Sequence, residues 1–448
     1  MKNQIKRLSF VGAMCASAVF AAVPVIDASS VSVRQTGGKN VVIEYTMNPA
    51  TEGDAEPAIV TVDILTNAVG EAAASVGGEH LWTLSGDVNK IVSHTANYKH
   101  KIIWTPHKEG MGEWTLPAAQ VTARVTLWAT NAPPAYWVID CETPKDRSTD
   151  RYYPNAEQIP QTVTNILYKT EKIVFRRIAS SGVTWRQGAS TDDYASAQNY
   201  ETPRYVTFSY DYYMGVFELT RGQYVRISSS PMIFAKTTDQ SVKDAALASA
   251  RPLTGNPNTF QPNGWDNGAA FDPSQSRIRQ AINAGNNQRG IWDMKRSFGL
   301  NVDIPTQAEF EYACRAGTTN LWVSGEGSFG DYAWYSGNSS TGPQDFHDVG
   351  LKLPNAWGIY DIQGNVWELG LDWSYRDRGR TSDPVWDYMG PAKDANEYYR
   401  IQYGGCVKNS KNDCRASFYG RIAPAQPTGM HANDANYTLG IRLVVIMP

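Results

Sequence analysis

The stretch 354–373, PNAWGIYDIQGNVWELGLDW, decides how this chain is read. It holds Trp357, Trp367 and Trp373, the glycines Gly358, Gly364 and Gly370, and the carboxylates Asp361, Glu368 and Asp372. Neither a plain helix nor a plain strand needs that mixture. A buried tryptophan requires a partner for its N–H, and a glycine marks backbone that turns or is closely approached. The stretch predicts irregular, tightly packed backbone around a fixed polar point.

Working outward, IPTQAEFEYACRAGT at 304–318 precedes this stretch, while RIQYGGC at 400–406 and LGIRLV at 439–444 follow it. Together with GIYDIQGNVWEL, these segments resemble the sulfatase-modifying-factor family, whose founding members are the formylglycine-generating enzymes. Four motifs in the right order, over roughly Val183 to Pro448, make the match specific. The resemblance implies an irregular C-type-lectin-like core with few helices. Local chemistry agrees: Thr306 with Glu309 three residues on, and Thr220 with Gln223, are capping-box patterns that open helices. The first helix is expected to run through Phe310, Ala313 and Cys314 to a stop at Gly317. Helices are also expected over 276–284 and 291–298, with a long Asn-, Pro- and Gly-rich loop before them.

The chain begins with Lys2, Lys6 and Arg7 before an apolar run over 8–22 that ends in small residues, the pattern of a secretory signal. It is too short to be a retained membrane helix, and no other run reaches the ~18 apolar residues a span needs. The mature protein is therefore expected to be exported (periplasmic, cell-surface or secreted), with no membrane span. A net charge of −3 and 19% charged residues describe an ordinary globular surface with no nucleic-acid footprint.

From about Val25 to Asp140 the runs VVIEYT, AIVTVDIL, HKIIWT and VTARVTLWAT alternate apolar and polar residues and are rich in β-branched side chains. They predict an all-β immunoglobulin-like sandwich over 23–141, although the Cys…Trp…Cys spacing of antibody domains is absent. The polar run ETPKDRSTDRYYPN opens a predicted linker over 142–170. The fold class is therefore α+β: a sandwich, a linker, and a formylglycine-generating-enzyme-like domain over 171–448.

In the enzymes this chain resembles, a calcium ion is held by a side chain, two backbone carbonyls and a glutamate at the positions of Asp361, Gly364, Val366 and Glu368. Oxygen donors of that kind suit a hard divalent cation. The plainer alternative is that Asp361 and Glu368 cap turns or pair with an arginine such as Arg442.

The resemblance also defines the activity in question. Formylglycine-generating enzymes oxidise a substrate cysteine using copper bound between two thiolates five positions apart, shortly after a GGS motif, and soft copper(I) needs such ligands. Here the segment reads GGCVKNSKNDCRASFYG, with Cys406 in place of the serine and Asn409 where the first thiolate is expected. Cys414 matches the second, and one thiolate does not make the site, so copper is not expected. The phrases EYACRAG and DCRAS resemble segments that relatives join by a disulfide, which implies a Cys314–Cys414 bridge. A second branch of the family holds iron with three histidines, a triad that His347 and His431 alone cannot supply.

Two functions from different classes remain. One is a binding module that presents loops 232–271 and 376–398, with Trp265 and Trp386, to a protein or carbohydrate ligand. The other is an oxidoreductase acting on thiols through a divergent metal site, with Cys406 and Cys414 as its weak catalytic candidates.

Overall fold

In a computed structural model, the four N-terminal runs read as strands are strands: Val41–Tyr45, Ala58–Thr66, His100–Trp104 and Val121–Ala129. The structure describes residues 24–36, 40–48, 57–66, 74–76, 81, 83–94, 98–109, 121–227, 247–252, 298, 300, 302–325, 327–339, 346–374, 382–388, 390, 399–422 and 438–446. The predicted signal 1–22, the helix over 276–284 and most of the 232–271 loop, Trp265 included, lie outside them.

Ala58–Thr66 pairs antiparallel with Val121–Ala129 along its whole length, and Val41–Tyr45 pairs with Ser32–Gln35 and His100–Trp104. Alternate residues of each strand point inward, as a two-residue period requires. Val41, Ile43, Tyr45, Ile102 and Trp104 of one sheet thereby share a single apolar core with Val60, Val62 and Ile64 of the other.

The C-terminal part is mostly strand and irregular backbone with few helices. Its largest sheet is antiparallel and runs in the order Arg151–Tyr153, Tyr136–Asp140, Lys172–Ile178, Tyr212–Gly215, Val444–Ile446, Val302–Asp303. Here the expected boundary is corrected. Tyr136–Asp140, inside the span expected for the sandwich, is a strand of this sheet, and the segment 142–170 is packed structure rather than a linker. It carries the buried residues Tyr152, Tyr153, Ile159 and Tyr168. Its polar residues misled the composition argument because they serve local turns: Asp146 accepts from Ser148 N and Asn155 from Gln158 N, each capping one short 3-10 turn.

A second sheet orders Tyr419–Ile422, Arg400–Tyr403, Trp367–Trp373 and Leu439–Gly440. The deciding stretch is thus irregular only as far as Val366. From Trp367 it is a strand, with a register shift between Leu369 and Trp373. Gly370 explains the irregularity, since a Cβ there would lie 2.3 Å from the Tyr403 hydroxyl, which instead reaches Asp372 Oδ2 at 3.1 Å. A third, smaller sheet joins Thr184–Gln187, Arg204–Thr207 and Val385–Trp386.

Both predicted capping boxes are present. Thr220 and Gln223 exchange bonds of 3.0 and 3.2 Å at the start of the Arg221–Ile227 helix. Thr306 and Glu309 do the same for Gln307–Arg315, which ends at Ala316 (φ 47°) and Gly317 (φ 81°). Glu309 has no exposed surface and also accepts from the Tyr210 hydroxyl at 2.9 Å, so this cap links the helix to the core. Thr306→Ala is expected to lower unfolding free energy by about 1–2 kcal/mol, the upper part of the range for a lost N-cap. A chemical-denaturation midpoint equal to that of the parent would show that the cap contributes nothing.

Candidate functional site

The polar point that the sequence anticipates is built from four ionisable side chains drawn from three separate segments of the chain: Glu218, Asp361 with Glu368, and Arg442. Each is at most 2% exposed. Backbone geometry puts them there. Asp361 (φ 51°), Gly364 (φ 85°) and Asn365 (φ 54°) all take the left-handed conformation, which Asp, Asn and Gly tolerate best. At Gly364 a Cβ would lie 2.3 Å from the Trp334 carbonyl oxygen, so no larger residue fits. The turn is fixed further by Asn365 N donating to that same carbonyl at 2.8 Å.

With the backbone held this way, Asn365 Nδ2 donates to Glu218 Oε2 at 2.7 Å and Val366 N donates to Glu218 Oε1 at 3.2 Å. Gly350 N donates to Asp361 Oδ2 at 2.6 Å, while Asp361 Oδ1 is buried with no hydrogen-bond partner. Lys169 Nζ reaches the Gly350 carbonyl at 3.4 Å on the other side of the same residue.

Arg442 occupies the centre. Its Nε lies 3.0 and 2.9 Å from the two oxygens of Glu368, and Nη2 reaches Oε1 at 2.7 Å. Nη1 donates to the carbonyls of Gly215 and Val216, and Nη2 to that of Tyr360. The predicted metal ligand Glu368 therefore has both oxygens on a guanidinium, and of the predicted set only Asp361 retains an unspent side-chain oxygen. A calcium ion takes six to eight oxygens. Of the two side chains in the predicted set, Glu368 is held by Arg442 and Asp361 Oδ1 has no hydrogen-bond partner.

Three carboxylates around one guanidinium leave an excess of negative charge in a medium that solvates it poorly. Burial, then the charges of Asp361 and Glu368, push Glu218 well above the usual carboxylate range. Burial raises Asp361 to about 6 against the pull of Gly350 N–H, Arg442 and Lys169. Burial alone would lower Arg442, but Glu368, Glu218 and Asp361 hold it above its ordinary value, so its charge is permanent.

The cysteines are spread through the core, with Cys141, Cys314 and Cys414 in three different apolar clusters. Gly404 (φ 81°) and Gly405 (φ 74°) make the turn before Cys406, and a Cβ on Gly405 would lie 2.5 Å from Cys414 Sγ. The Cys406 thiol donates to Asn409 Oδ1 at 2.9 Å and accepts from the Thr438 hydroxyl at 3.3 Å, and Cys406 N also reaches Asn409 Oδ1, at 3.1 Å. Cys141, Cys314, Cys406 and Cys414 are all buried, unbridged thiols. Burial pushes Cys314 up to about 12, and raises Cys414 further with help from neighbouring Cys406, Asp413 and Cys314. Thiols held in this way are poor nucleophiles at neutral pH.

Sequence reasoning named Asp361, Glu368 and the Arg442 alternative but missed Glu218, Gly350 and Lys169. The one available signal for Glu218 was its place in GVFELT, an acid inside an apolar strand-like run.

Several known proteins resemble this chain. The formylglycine-generating enzyme of Mus musculus is 30% identical over 122 residues, 25% of this chain and 32% of that protein. The chaperone protein LppX of Paenibacillus barcinonensis is 26% identical over 262 residues, 53% of this chain and 81% of that one. The match to the mouse enzyme thus spans about a third of its length. Among solved structures, Treponema denticola variable protein 1 aligns with a TM-score of 0.40 at 23% identity, over 62% of this chain and 96% of its own. PvdO from Pseudomonas aeruginosa aligns at 0.37 and 17%, over 61% of this chain and 94% of its own. A family profile described as a Sulfatase-modifying factor enzyme 1-like domain matches residues 181–445. That span is more than half of the chain and contains Glu218, Asp361, Glu368 and Arg442, so the chain belongs to the sulfatase-modifying-factor family.

Proposed function

We propose that this chain is an exported binding protein, in which a formylglycine-generating-enzyme-like domain recognises a ligand and an immunoglobulin-like N-terminal sandwich serves as spacer. The observation that carries the reading is the Cys406–Asn409 contact. Where copper(I) chemistry needs the first of its two thiolates, the chain places an amide oxygen, already taken up by the thiol and backbone N–H of Cys406. An amide oxygen is a hard donor with little affinity for copper(I). Formylglycine formation is therefore not the activity we assign. Mass spectrometry of a Cys-x-Pro-x-Arg peptide incubated with reduced, copper-supplied protein and oxygen is expected to return the peptide unchanged. A product with the thiol converted to aldehyde would replace the binding reading with the thiol-oxidoreductase one.

In place of the calcium that the family resemblance implies, we propose that Arg442 supplies the fixed positive charge at Glu368. Removing one partner of a buried ion pair strands the other charge, at a cost of about 3–5 kcal/mol. Arg442→Ala is expected to lose stability on that scale in chemical denaturation, whereas a chelator should leave the melting temperature of the parent unchanged. A ligand that binds only the native state stabilises it by mass action. A melting temperature that falls on chelation and recovers with added calcium would thus return the site to the metal.

In an oxidising compartment the Cys314–Cys414 bridge remains our proposal for the mature protein. It would close a loop of about a hundred residues and add up to roughly 4–5 kcal/mol in the chain-entropy model. Non-reducing peptide mapping of exported protein is expected to recover these two peptides linked. Recovery of both as alkylated thiols, or of a Cys406–Cys414 link, would refute the pairing.

A further inference from the structure

The small sheet of Thr184–Gln187, Arg204–Thr207 and Val385–Trp386 has two unlike faces. Arg186 lies opposite Tyr205, Thr184 opposite Thr207, and Thr207 opposite Trp386. Residues directly opposite each other point to the same side, and successive residues alternate. Arg186, Tyr205, Thr184, Thr207 and Trp386 therefore share one face, while the buried Gln187, Arg204 and Val206 turn to the core. On the outer face Trp386 is 69% exposed and Tyr205 is 55% exposed. Trp386 pairs with Thr207, two residues along the neighbouring strand from Tyr205, so both rings stand on adjacent strands of one face.

Trp386 is exposed on a fixed backbone. Asp387 (φ 45°) donates its N–H to the Thr207 carbonyl at 2.9 Å, and its carboxylate accepts from Ser209 N and Oγ at 2.7 and 2.5 Å. Below the sheet, the Arg204 guanidinium lies 3.6 Å from the centre of the Tyr388 ring. A ring presented on backbone clamped in this way loses little freedom on binding.

Beside the rings the face is polar and ordered. Arg186 forks onto Asp193 at 2.6 and 3.2 Å, spending two of its five N–H donors, and Asp193 is held in turn by Ser190 N and Oγ. The Thr184 and Thr207 hydroxyls lie 2.8 Å apart.

We infer that this face binds a saccharide of two or more pyranose rings, which stack on Trp386 and Tyr205 and pair their hydroxyls with Arg186 and Asp193. This inference rests on the binding-protein reading and names its ligand class. The C–H face of a pyranose is flat and apolar and its edge is a ring of hydroxyls, which matches two side-by-side aromatic rings bordered by a donor–acceptor fork. Two such rings offer at most roughly 300–500 Å² of contact. That is well short of the ~800 Å² per partner of a stable protein interface, so a second copy of the chain or a folded protein is a poor fit. A single-stranded nucleic acid would also stack, but it needs a positively charged groove, and here the arginine is neutralised by Asp193.

The test is titration calorimetry of the full mature chain against laminarihexaose, cellohexaose, xylohexaose, chitohexaose and mannohexaose. At least one is expected to bind at micromolar to millimolar concentration. Trp386→Ala and Tyr205→Ala should each weaken that binding tenfold or more, and Trp386→Phe should restore part of it, with all three variants melting like the parent. No binding to any of the five at millimolar concentration, or binding unchanged in either alanine variant, would overturn the inference. The peptide-oxidation assay, run on the same preparation, separates the two failures: an unoxidised peptide leaves the binding-protein reading standing without a sugar, and an oxidised one removes both.

Discussion

A guanidinium with no exposed surface must be satisfied wholly by protein, and Arg442 is. It reaches the strand at Glu368, the end of the strand at Gly215 and Val216, and the loop at Tyr360, so one side chain joins both large sheets to the irregular stretch between them. Such an arrangement is poor evidence for stability, because desolvating both charges costs about as much as their attraction returns. Its effect is on geometry. Five donors in a rigid fork match only one placement of those acceptors, which ties Tyr360 and Glu368, on either side of the left-handed turn, to one point.

Much of this was legible in the sequence wherever one residue's chemistry sufficed. Thr306 with Glu309 and Thr220 with Gln223 announced helix starts, because a capping box is a contract between residues three apart. The N-terminal strands were equally plain, since alternation along Val41–Tyr45 or Ala58–Thr66 records which side faces the core. The misreadings share a cause. The 142–170 segment carries its buried tyrosines among polar residues that serve turns, so its average composition hides its packing. Glu218 joins the site only because residues nearly 150 positions later fold back onto it, and no local pattern registers that.

The cysteines show how far a motif can carry an argument. The order of segments around GGC was enough to recognise the family, yet the chemistry depends on which atom stands beside Cys406. That atom is an amide oxygen of Asn409, and the hydroxyl of Thr438 donates to the same sulfur. A thiol engaged on both sides and raised by burial is a packing element as much as a reactive group.

The place of Val444–Ile446 in the largest sheet bears on how the chain is made. This strand lies between Tyr212–Gly215 and Val302–Asp303, so two strands already synthesised wait for a partner from beyond residue 440. Arg442 arrives with it, and until then Glu368 and the carbonyls of Gly215 and Val216 have lost their donor. A nascent chain of 400 residues would therefore hold an open sheet with an unneutralised acid beside it, the kind of intermediate in which exposed strand edges invite aggregation. The C-terminal part can close only after synthesis has passed these residues, so its sheet and its buried charge pair are completed in one late step.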